Sequence, residues 1–186
     1  MIRRADRLAT WELGGTAAER GGEAGPDEKL VVQLFDELRS PLLGYLHALG
    51  LRAQDAEELV QDSFLALFEH LRQGRPRQNL RGWVFRVAHN LGLKRRREGA
   101  READDGAIEQ MVHPGANAEQ QLLSGDREKR VEAVIGALAE QDRCCLALRA
   151  EGLRYREIAE VLDISLGAVA NSLARSLARL GRAIRA

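Results

Sequence analysis

The residues of this chain best equipped for chemistry are cations placed beside an aromatic ring. Trp83, Arg86, His89 and Asn90 fall at helical spacing and run into Lys94-Arg95-Arg96-Arg97, after a loop that bears Arg75, Arg77 and Arg81. Cations suit phosphates and a flat ring suits an unstacked base, so the combination fits a groove for single-stranded nucleic acid. The plainer alternative leaves Trp83 in a core and the terminal cations as partners of the helix dipole, although four in a row exceed what capping requires.

A second set occupies the last third of the chain. Ile158, Ala159 and Leu162 form an apolar stripe, Asp163 to Ser165 breaks it, and Val169, Leu173, Leu177 and Leu180 resume it. Two short helices meeting at so tight a turn make a helix-turn-helix, whose second helix can lie in a DNA major groove. From Ser165 onward the only charges are Arg175, Arg179, Arg182 and Arg185, which suits a phosphate backbone. An amphipathic pair that only builds a core, with its arginines on a solvated face, reads the same way.

A third set is acidic. Glu58, Gln61, Asp62 and Leu65 recur at i, i+3, i+4 and i+7, opposite the stripe Val60, Phe64, Leu67, Phe68 and Leu71. Such a face is either solvated or, because Leu65 points outward among acids, a protein-docking surface. For enzymes the residues offer little. The histidines, His47, His70, His89 and His113, lack metal-ligand spacing, and no HExxH, CxxC, phosphate-cradling glycine loop or nucleophile elbow occurs. No enzyme activity, catalytic residue, metal or cofactor is expected. The neighbours Cys144 and Cys145 sit in an apolar helical pattern and read as a buried, reduced pair.

The elements that must position these sets are helices. With 4% aromatic residues and abundant Leu, Ala, Arg and Glu in 186 residues, the composition favours an all-α fold, and no strand candidate or internal repeat appears. Residues 1–26 hold five glycines without periodicity and read as a disordered tail. Leu30, Val31, Leu34, Phe35 and Leu38 then make a helical stripe, with Pro41 starting or kinking a second segment through Leu49. Asp55 with Glu58 resembles an N-terminal capping pair for the next helix. Gln73 to Gln78 is a basic loop, and Leu80, Val84, Val87, Ala88 and Leu91 mark a helix ending at Lys94 to Arg97.

Charge divides the chain further. Residues 27–97 carry twelve Lys/Arg against nine Asp/Glu, and 126–186 carry eleven against nine, while 98–125 hold six acids against Arg101 alone. Two small helical domains, 27–97 and 126–186, joined by a flexible acidic linker over 98–125 with a short helix near Glu119 to Leu123, are therefore expected. No apolar run approaches a membrane span and the N-terminus lacks a signal-peptide core, so a cytoplasmic protein without membrane contact is expected.

In order, Ala56-Glu57-Glu58-Leu59-Val60-Gln61-Asp62-Ser63-Phe64, Gly82-Trp83-Val84-Phe85-Arg86-Val87-Ala88-His89-Asn90, Leu138, Arg143, Leu148-Arg149 and the Tyr155 to Val169 motif resemble bacterial RNA polymerase sigma factors of the extracytoplasmic-function type. The resemblance implies sigma region two over 27–97 and sigma region four over 126–186. By it, Glu58, Gln61, Asp62 and Leu65 dock the clamp helices of the polymerase β′ subunit. Arg75, Arg77, Arg81, Trp83, Arg86, Asn90 and Lys94 to Arg97 melt and read the minus-ten element around a flipped base. Tyr155, Gly167, Ala168, Ala170, Asn171, Ser172, Arg175 and Arg179 read the minus-thirty-five element. It further implies contact with the polymerase β flap, an acidic linker threading toward the RNA exit channel, and possible control by an anti-sigma factor.

One departure stands out. Family members commonly place Lys or Arg and then Ser-Arg early in the recognition helix, where this chain has Ala168-Val169-Ala170-Asn171-Ser172. Weak minus-thirty-five binding is the expected consequence, although Asn can still read adenine. Two rival readings remain: a stand-alone helix-turn-helix regulator, for which the 27–97 block would have no use, and a sigma-like adaptor held by an anti-sigma partner.

Overall fold

The computed structural model describes residues 25–104 and 126–185, and within them every regular element is a helix. In chain order these are α1 (Pro26–Ala48), α2 (Ala53–Arg72), α3 (Leu80–Asp104), α4 (Asp126–Gly136), α5 (Glu140–Ala150), α6 (Tyr155–Leu162) and α7 (Leu166–Arg185). None of the described helices is long and apolar enough to cross a membrane. Residues 1–24 and 105–125, with the expected tail, most of the expected linker and the short helix near Glu119, lie outside the described residues.

Helix α1 starts where Pro26 supplies a fixed φ, and the Glu28 carboxylate accepts a hydrogen bond from the Gly25 N–H at 2.9 Å. It then runs unbroken through Pro41, which corrects the expectation of two segments. An internal proline costs about 3 kcal/mol. Leu38, Leu42, Tyr45 and Leu46 lie buried on one face across it, at roughly 1.5–3 kcal/mol for each apolar side chain, so packing outweighs the break.

Helix α2 begins at Ala53, which places Asp55 inside the first turn; it is not a cap, because it accepts from Arg52 Nε at 3.2 Å and from Arg95 Nη1 at 2.7 Å. Its buried face is Ala56, Leu59, Val60, Phe64, Leu67 and Leu71, with Phe68 only half-buried, and Phe35 meets Phe64 edge-on at 5.0 Å. Helices α1, α2 and α3 pack mutually. Gly92 lets α3 approach closely, because a Cβ there would meet Leu49 Cδ2 at 2.7 Å. The α3 helix does not stop at Arg97 as expected but continues to Asp104, so the start of the acidic stretch is helical.

In the second half, α4, α5 and α6 pack against α7, burying Cys144, Cys145, Leu148, Ile158, Val161, Val169 and Leu173. Asp163 turns α6 into α7 with φ 53° and ψ 47°, a left-handed conformation that Asp tolerates and most residues do not. The Ile164 N–H donates to Ala159 O at 3.1 Å, and Ser165 Oγ accepts from the Ala168 N–H at 3.1 Å, capping α7. The two halves also touch each other: α6 lies on α3 and α5 on α1, and one apolar core runs through both.

Candidate nucleic-acid interface

The outer face of α3 carries Arg86, Asn90, Lys94 and Arg97, spaced i, i+4, i+8 and i+11 and all exposed. Trp83 edges this stripe half-buried, its ring 4.5 Å from that of His70. His70 Nε2 in turn lies 2.9 Å from Pro76 O, so the imidazole ties the basic loop to the back of the indole. Asn79, at φ 50°, caps α3 by accepting from the Gly82 N–H at 3.1 Å. Trp83 is thus both packing and surface: one side rests on α2, while its position on the stripe leaves an edge for a ligand.

Most of the expected minus-ten cations are already paired. Arg77 reaches Asp27 of α1 at 2.5 Å, Lys94 lies 3.8 Å from Glu98, and Arg95 bonds Asp55 and Glu58 at 2.7 and 3.0 Å. Arg81 donates to Glu151 O at 2.5 Å, and Arg96 to Glu140 Oε1 at 2.7 Å, both across to the second half. The Arg96 guanidinium holds the Glu140 carboxyl below the usual carboxylate range, and Arg95 does the same for Glu58. Arg75, Arg86 and Arg97 have no carboxylate within 4.0 Å among the described residues.

On α2, Glu58, Gln61, Asp62 and Leu65 share one exposed face, as the spacing requires, and Leu65 is 63% exposed. The helix-turn-helix matches its expected turn but not all of its expected faces. On α7, Gly167, Ala170 and Asn171 are exposed and Ala168 half-buried, while Tyr155 is exposed at the start of α6 with the Arg149 guanidinium 5.9 Å over its ring. Ser172 is a correction: it is 0% exposed, and its hydroxyl accepts from Gln141 and from Arg175, each at 3.2 Å. Leu177 is another, since it is 58% exposed while Ser172 and Ser176 take the inward positions.

Arg175 and Arg179 also face home. Arg175 donates twice to the buried Asp142, at 2.6 and 3.2 Å, and keeps that carboxyl below its ordinary range. Arg179 donates to Ala137 O at 3.5 Å. The beginning of α7 therefore presents a smooth surface with one hydrogen-bonding side chain, Asn171.

Two family models account for this arrangement, sigma-70 region 2 over residues 34–102 and sigma-70 region 4 over residues 128–180. The chain belongs to the sigma-70 family. It is a sigma factor of the extracytoplasmic-function type, a transcription initiation factor that works with RNA polymerase on promoter DNA. It is 26% identical over 161 residues to the ECF RNA polymerase sigma-E factor of Haemophilus influenzae, covering 81% of this chain and 85% of that one. Its identity to the sigma-E factor of Salmonella typhi is 29% over 133 residues, covering 66% and 70%.

The fold of this sigma factor is shared by RpoE of Bartonella quintana, solved with the anti-sigma factor NepR: TM-score 0.64, 22% identity, 84% of this chain and 98% of that one. CnrH, solved with the cytosolic domain of CnrY, gives a TM-score of 0.57 at 24% identity, covering 83% and 86%.

Sequence reasoning missed the partners of the sigma factor's cations. Asp27 is 50 positions from Arg77, Glu140 is 44 from Arg96, Glu151 is 70 from Arg81 and Asp142 is 33 from Arg175. No periodicity links residues so far apart, so only the packing of α1, α5, α6 and α7 brings them together.

Proposed function

We propose that the two sigma regions divide the work of initiation as residues 27–97 and 126–186. The α2 face of Glu58, Gln61, Asp62 and Leu65 docks the polymerase clamp helices, and α3 with the loop before it captures the melted minus-ten strand. Tyr155, Gly167, Ala170 and Asn171 approach the minus-thirty-five duplex. The chain catalyses nothing; binding of a splayed strand drives melting and the polymerase does the chemistry. The observation that carries this reading is the exposed Arg86, Asn90, Lys94 and Arg97 stripe beside Trp83, because cations spaced along one helix beside a ring suit an unpaired strand better than a duplex groove.

The test is transcription in vitro with core polymerase, with and without the chain, on promoters selected by pull-down of the holoenzyme. Initiation should depend on the added chain. A chain that binds duplex DNA but leaves core polymerase inactive at every selected promoter would be a stand-alone regulator instead.

A further inference from the structure

The loop that leads into α3 is fastened from behind by a side chain that strand capture has not yet used. Every residue from Gln73 to Asn79 is exposed. A loop with its side chains in solvent has little packing to hold its shape, so its hydrogen bonds must set it. At its start Gly74 takes φ 64°, its N–H donates to Leu71 O at 2.9 Å, and the Arg75 N–H donates to His70 O at 3.3 Å, closing α2 in a Schellman motif. At its end Asn79 O accepts from the Trp83 N–H at 3.0 Å. The middle hangs on two side chains: Arg77 donates to Asp27 Oδ1 of α1, and His70 Nε2 lies 2.9 Å from Pro76 O.

His70 is the better placed of the two. It is 9% exposed, whereas the Arg77 side chain is 57% exposed, so water competes less for the imidazole's bond. The Pro76 carbonyl can only accept, and Nε2 therefore carries the ring proton. Nδ1, the acceptor left over, is buried without a partner among the described residues, so the ring's one hydrogen bond goes to the loop. The same ring lies 4.5 Å from the indole of Trp83. One imidazole thus touches both the loop that carries Arg75 and the back of the aromatic that edges the α3 stripe.

We propose that His70 is a positioning residue for strand capture: its Nε2–H and its ring hold the basic loop and Trp83 in one arrangement, so that Arg75 meets a phosphate of the strand while the indole edge meets a base. The proposal rests on reading α3 and the loop before it as the strand-binding element. His70 itself touches no DNA. A loop already fixed loses little conformational freedom when the strand arrives, so affinity depends on a residue behind the surface.

The test uses holoenzyme reconstituted from core polymerase and the full chain. A fluorescent single strand carrying the non-template minus-ten sequence of a promoter selected by pull-down is titrated against it across a range of salt. His70→Leu and His70→Phe remove the donor, whereas His70→Gln keeps an amide N–H at similar reach. The first two should bind the strand severalfold more weakly, with a salt slope shallower by about 0.7, the share of one phosphate contact on a single strand. His70→Gln should restore most of the affinity and the slope. Arg75→Ala should have the same effect as His70→Leu, and the double variant should lose little more than either, because both remove one contact. Tm and co-purification with core polymerase should stay near parental values in all of them.

Native affinity and slope in both His70→Leu and His70→Phe overturn the positioning role. So do weak binding by His70→Gln, additive effects of His70→Leu and Arg75→Ala, or a loss of affinity at unchanged slope, which is what a merely destabilised chain would give. If Arg86→Ala weakens strand binding in the same titration, such a failure leaves the strand-capture reading standing. If neither Arg86→Ala nor Arg75→Ala does, both fall.

Discussion

At the scale of single residues, His89 shows how burial turns a side chain into a pH-dependent part of the fold. The ring is buried with Tyr45 Oη 2.7 Å from Nδ1, and burial pushes its pKa below the ordinary 6.5. Glu140 on α5 opposes that shift and Arg96 on α3 reinforces it. Because the folded value is depressed, the unfolded chain takes up the proton first as pH falls. Stability is therefore fully present above pH 6.5 and is lost as pH drops through the folded value. Glu140 and Asp142, also depressed, begin to lose their contributions only below their ordinary values of 4.5 and 3.8. A Tm measured at pH 7.0 and 5.5 should thus fall, and the fall should shrink in His89→Gln; an equal drop in that variant would assign the effect elsewhere. Ser172 marks the limit of reading residues one by one. A small polar side chain early in a recognition helix looks like a surface contact, yet hydroxyls bury readily when a neighbour satisfies them, as Ser176 does by donating to Ser172 O at 2.8 Å.

At the scale of elements, the helices were legible wherever apolar periodicity was strong, and their ends were not. The stripes of α2 and α6 and the Asp163 turn follow directly from residue spacing. Pro41 and the end of α3 were misread because local breakers and charge clusters cost only a few kcal/mol, and tertiary packing overrides them. On α7 the faces predict a separation of effects. Arg175→Ala strands the buried Asp142 carboxylate, an expected loss of about 1–2 kcal/mol once the half-exposed guanidinium is discounted, and a Tm lower by several degrees. Asn171→Ala should leave Tm unchanged and relax preference at one or two upstream base pairs in a binding-site selection. On α3, Arg86→Ala and Asn90→Ala remove exposed groups that make no side-chain hydrogen bond or ion pair among the described residues. They should reduce promoter opening in permanganate footprints, at unchanged Tm, and normal opening in both would remove the stripe from strand capture.

At the scale of the whole molecule, the sequence named the two halves and could not say how they meet, since each bond between them joins residues tens of positions apart. Within the first half, the packing of α3 on α2 bears on the docking face. Arg95 bonds both Asp55 and Glu58, so the acidic face of α2 and the cationic end of α3 form one charge network. Reversing Glu58 does not strand Arg95, because Asp55 remains its closer partner at 2.7 Å. Asp62 points outward one turn further along, clear of the buried stripe. The double substitution Glu58→Lys and Asp62→Lys should therefore fold normally, with a Tm close to the parent chain. Each reversal at a polar interface costs about 2 kcal/mol, so the two together should lower affinity for core polymerase by roughly a thousandfold. Co-purification measured beside thermal melting separates the outcomes: a lost complex at unchanged Tm supports the docking face, whereas a complex recovered at parental yield places polymerase contact on another surface.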